Sequence, residues 1–122
     1  MKIKNKSLYF IITLVLTIIL TRIITLYIHD PNRFIKGLEL HHFYYGISLL
    51  IIATLIFISY KKQKTLYLTL YAISLGWIID ELEYVVNGFG NTKAYATTLP
   101  SVIILTFSVI LITLHIKFKS SK

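Results

Sequence analysis

The stretch Leu8-Tyr9-Phe10-Ile11-Ile12-Thr13-Leu14-Val15-Leu16-Thr17-Ile18-Ile19-Leu20-Thr21-Arg22-Ile23-Ile24-Thr25-Leu26-Tyr27-Ile28 decides the fold. As a helix rising ~1.5 Å per residue, a run of this length crosses ~30 Å of hydrocarbon. Lys2, Lys4 and Lys6 precede it, as in the n-region of a signal peptide. The run is too long for that role and no small-x-small cleavage site follows, so a retained first membrane span is expected. Its one charge is Arg22, about six residues or roughly 9 Å from the end of the run. At that depth an arginine either snorkels to the interface or meets an intramembrane partner. Thr13, Thr17, Thr21 and Thr25 recur every four residues. They read as hydroxyls bonded back to their own helix carbonyls, or as a stripe packed on a neighbouring helix.

Outward from this run, His29-Asp30-Pro31-Asn32 is a break, with Asp30 and Pro31 in the N-cap and first-turn positions of a following helix. That helix is expected to run along the interface through Phe34, Ile35 and Leu38. It then descends as an apolar core from His41 to Tyr60, ending at Lys61-Lys62-Gln63-Lys64. A third run covers Thr65 to Val86 and ends in the turn-forming Asn87-Gly88-Phe89-Gly90-Asn91. A fourth covers Leu99 to Ile116, with Pro100 in its first turn and Thr97 or Thr98 as its cap. The expected fold is a single all-α domain, an integral membrane bundle of four transmembrane helices. The spans fall at about 7–28, 39–60, 65–86 and 99–116.

Composition agrees with this pattern. The 122 residues suffice for one domain, and 56% hydrophobic content is high for a soluble chain of this size. The mean hydropathy is +0.73. There is no cysteine, which excludes disulfides and thiolate metal sites. The net charge of +8 first suggests nucleic acid. Its placement argues for a membrane instead: nine of the thirteen Lys and Arg flank apolar runs on the side that carries both termini. By the positive-inside rule both termini are then cytoplasmic in a multi-pass plasma-membrane protein. The expected partners are the lipid bilayer and a second copy or another membrane protein, with no nucleic acid.

The acids segregate as well. Asp30, Glu39, Asp80, Glu81 and Glu83 all fall in the outer half, with His29, His41 and His42. Glu39, His42 and Gly46 share one helix face, Asp80 and Glu83 share one with Gly76, and Glu81 and Tyr84 share one with Trp77. A Glu-x-x-His element facing carboxylates on another helix is how bundles build metal sites. Glu39, His42, Asp80 and Glu81 are therefore candidate ligands for a divalent Zn, Mn or Fe ion, with His41 beside them. The second Glu-x-x-His of a di-metal centre is missing. A second expectation is a hydrogen-bonded, ion-paired network that includes Arg22, His41, Tyr44, Tyr45, Glu83 and Tyr84. A third is a proton- or cation-conducting path in an oligomer. Three carboxylates within four residues near lipid repel one another and are costly to desolvate, so a proton or a cation must offset them. Hydrolase motifs such as Gly-x-Ser-x-Gly and His-Glu-x-x-His are absent. Whether the chain is an enzyme stays open; Glu81 is the candidate base of an intramembrane metallohydrolase.

The segment His41-His42-Phe43-Tyr44-Tyr45-Gly46, followed by Asp80-Glu81 and an aromatic loop with Phe89 and Tyr95, resembles a group of small uncharacterised prokaryotic integral membrane proteins. These carry a His-His-x-x-aromatic-Gly segment and a later Asp-Glu segment. The resemblance covers about two-thirds of the chain. It implies a four-helix membrane protein in which His41, His42, Gly46, Asp80 and Glu81 are the marked positions, and it implies no particular activity.

Overall fold

A computed structural model describes residues 5–27, 42–60, 64–87 and 95–122. They form four long helices: α1 (Lys6–Tyr27), α2 (His42–Ser59), α3 (Lys64–Val86) and α4 (Leu99–Ser120). The start of α1 is capped by Asn5, whose Oδ1 accepts the Leu8 N–H at 3.1 Å. α4 carries Pro100 in its first turn and continues four residues beyond the expected end at Ile116. The expected interfacial segment from Asp30 to Leu38 lies outside the described residues.

α3 lies at the centre. It packs against both α1 and α2, while α4 rests more lightly on α1 and α3. Burial follows this order. α3 buries eight residues, α1 and α2 three each, and α4 only Val102. The apolar core is Leu14 and Ile18 from α1, Ala72 and Ile79 from α3, and Val102 from α4. Glycines allow the helices to approach. A methyl group on Gly46 would lie 2.8 Å from the Ser74 carbonyl oxygen, and one on Gly76 would lie 2.9 Å from Thr17 Cγ2. The Thr13, Thr17 and Thr21 hydroxyls donate to the carbonyls of Tyr9, Thr13 and Thr17 at 2.7–2.9 Å. The threonine repeat thus bonds to its own helix and also packs: Thr17 meets Gly76, and Thr21 Oγ1 accepts the Trp77 indole N–H at 3.2 Å.

The outer surface is apolar. Leu16, Leu20, Ile51, Leu55, Ile104, Phe107 and Leu111 are each about half exposed or more. So broad an apolar exterior exceeds what a water-soluble monomer presents and suits hydrocarbon. α1, α2 and α4 are long and apolar enough to cross a membrane. α3 carries Asp80, Glu81 and Glu83 and does not meet that measure by composition. The physical reason is its position, since a central helix packed against the others can carry polar side chains that pair inside the bundle.

Candidate functional site

Asp80 and Glu81 stand in the last turns of α3 and are 0% and 1% exposed. Two adjacent helical positions point about 100° apart, so the two carboxylates reach different neighbours. Asp80 is the hub. Its Oδ1 accepts Arg22 Nε of α1 at 2.8 Å, and its Oδ2 lies 2.9 Å from His42 Nε2 of α2. The Tyr95 hydroxyl, just before α4, donates to the same Oδ2. Glu81 turns to α2, where Oε2 accepts the Phe43 N–H at 2.9 Å and Oε1 lies 3.2 Å from His42 Nδ1. It thereby satisfies a backbone donor in the first described turn of α2, where the helix dipole favours a negative group.

Arg22 is 7% exposed and is paired inside the bundle with Asp80. Its donors are distributed among acceptors. Besides Asp80 Oδ1, Nη2 reaches Thr98 Oγ1 at 3.0 Å and the Asp80 carbonyl at 3.3 Å, and Nη1 reaches the Tyr95 carbonyl at 3.4 Å. The guanidinium carbon stands 4.5 Å from the Tyr95 ring centroid, a cation–π contact. Thr98 occupies the N-cap position of α4, as expected, but makes no side-chain cap bond. Its hydroxyl donates to the Tyr95 carbonyl at 2.7 Å and is held there to accept Arg22. Tyr95 sits edge-on to Tyr84 and His42, with centroids 5.8 and 6.3 Å away. Burial, and then the Asp80 carboxylate, push the ionisation of its phenol well above the ordinary tyrosine range.

His42, Asp80 and Glu81 therefore converge, as their spacing suggested, but onto one another and not around a shared vacancy. Among the described residues no group of three or more His, Asp or Glu is arranged to hold a metal ion. Of the expected metal set Glu39, His42, Asp80 and Glu81, the last three meet one another. Asp80 spends its oxygens on Arg22, His42 and Tyr95, and Glu81 spends its own on His42 and Phe43. Glu39 and His41 lie outside the described residues. Tyr45 is 40% exposed and Tyr44 45%. Glu83 is half-buried, and its enclosed Oε2 has no hydrogen-bond partner among the described residues. Tyr95 and Thr98 were not expected as site residues. Their three-residue spacing on the approach to the last span, level with Arg22, was the available signal. Comparisons with protein-family models, curated proteins and solved structures return no match.

Proposed function

We propose that this is a multi-pass membrane protein of four spans with cytoplasmic termini, in which a closed, charge-compensated cluster fastens the outer ends of the helices. The cluster serves packing and assembly. The observation that supports this is the insertion of His42 between two buried carboxylates, 2.9 Å from Asp80 and 3.2 Å from Glu81. Arg22 and His42 stand against Asp80 and Glu81. Buried charges of this kind are tolerated as a complete set, and removing one partner leaves another uncompensated.

The test is purification in detergent, followed by metal analysis and thermal unfolding. The unmutated protein should carry no stoichiometric Zn, Mn or Fe. Asp80→Asn should cost ~3–5 kcal/mol, a fall in Tm of roughly 10 °C or more. One equivalent of metal that disappears in His42→Ala, or an Asp80→Asn variant as stable as the parent, overturns the reading.

A second reading has its own observation. The contacts run without a break from Tyr95 through Asp80 and His42 to Glu81, a route along which a proton can pass. As a conducting path in an oligomer, it requires proton flux in liposomes that Glu81→Gln changes. Flux indifferent to that substitution removes this alternative.

A further inference from the structure

The seam between α1 and α4 is open. An apolar cavity of about 300 Å³ lies along it. Val15 and Ile19 of α1 form one wall, Val102, Phe107 and Ile110 of α4 the other, and Arg22 lies among the lining residues at its outer end. At ~30 Å³ per water-sized group this is room for roughly ten such groups, the bulk of an acyl-chain segment. Four of the five N–H donors of Arg22 are taken up by Asp80, Thr98 and the Tyr95 carbonyl.

The other end of the same seam is basic. Seven residues separate Ile110 from Lys117, so they share a helix face about 10 Å apart. Lys117 Nζ donates to Asn5 Oδ1 at 3.4 Å, which joins the ends of α4 and α1. Lys6, Lys119 and Lys122 are exposed beside this junction. No acid offsets them nearby, since the described carboxylates Asp80, Glu81 and Glu83 all stand at the opposite end of α3. Fixed positive charge sits at headgroup level, and an apolar slot begins one half-leaflet deeper on the same two helices.

We infer that the α1–α4 seam is a binding site for one anionic phospholipid. Its headgroup is held by Lys117, Lys119 and Lys6, and one acyl chain lies in the groove between Val15 and Ile110. Charge complementarity selects the headgroup, and the groove holds the chain. The inference rests on the chain spanning the bilayer; it does not depend on what the His42 cluster does.

The test is native mass spectrometry of the full chain in detergent, titrated separately with phosphatidylglycerol and phosphatidylcholine. One phosphatidylglycerol should be retained at least fivefold more than phosphatidylcholine. Combined Lys6→Gln, Lys117→Gln and Lys119→Gln should remove that preference, and Val15→Trp, which fills the groove, should lower retention of the lipid severalfold. Thermal unfolding confirms that each variant is folded; because the lysines lie at chain ends, the charge variant reads out even where Val15→Trp does not fold. Equal retention of the two lipids by the unmutated protein, or a preference that survives the lysine substitutions, overturns the inference. So does a folded Val15→Trp variant that retains lipid like the parent. None of these readouts responds to the outer cluster, so this site and the proposed role of His42 fail separately.

Discussion

Asp80 has no exposed surface, yet three side chains from three other segments end on its two oxygens. Tyr95 contributes one of those bonds, and its phenol is held neutral by burial and by that carboxylate. The folded state therefore binds the Tyr95 proton more tightly than the unfolded chain does. The resulting stability is complete below the ordinary tyrosine value of about 10 and is lost as pH rises beyond it. Tyr95→Phe should lower stability at neutral pH by ~1–3 kcal/mol, because Asp80 loses a donor. It should also show a shallower alkaline fall than the parent when Tm is followed from neutral pH to beyond about pH 10. Identical alkaline slopes would show that the phenol does not feel Asp80. The sequence disclosed that Arg22, His42 and Asp80 lie at one depth, since depth follows from counting residues along a helix. It did not disclose Tyr95 or Thr98, which lie before the last span and become relevant only where that segment folds over the guanidinium.

The closest helix approaches are made by small residues, and they set which side chains meet. At Gly46 the obstacle to a larger residue is backbone, the Ser74 carbonyl of α3; at Gly76 it is chiefly the Thr17 side chain of α1. Gly46→Ala should therefore destabilise by ~1–3 kcal/mol through forced separation of α2 and α3, and more than Gly76→Ala does. Thermal unfolding of the two variants gives the order, and a Gly46→Ala variant equal to the parent would falsify the close packing. Both glycines were visible in the sequence on the same faces as His42 and Asp80. That coincidence has a physical basis, because short charge contacts across helices require backbones that come close. The helices themselves were legible from their apolar runs. What periodicity left open was the rank of burial, in which α3 is the central helix and α4 the peripheral one.

The described residues separate most of their charge along the bundle. Asp80, Glu81 and Glu83 stand with Arg22 and His42 toward one end, and Lys6, Lys117, Lys119 and Lys122 toward the other. The orientation proposed for this arrangement is open to a direct test, because the chain has no cysteine of its own. Single substitutions Asn87→Cys and Ser121→Cys lie at exposed positions at opposite ends. A membrane-impermeant maleimide applied to intact cells should label the first and reach the second only after permeabilisation. The reverse result would invert the topology, and labelling of both from one side would exclude four spans. The composition alone pointed to a membrane, since apolar residues arranged in blocks leave no amphipathic face for water.

The sequence by itself determined four long apolar or near-apolar helical runs, their breaks, and the gathering of acids and imidazoles at one end. These are one-dimensional properties: span length follows from hydrocarbon thickness, and depth follows from the rise of the helix. Only the tertiary structure decided that Arg22 pairs with Asp80, that His42 lies between Asp80 and Glu81, and that Tyr95 and Thr98 join the set. Partner choice depends on how each helix is rotated against its neighbours. That rotation is settled by the contacts at Gly46 and Gly76 acting together, which no count along a single helix contains.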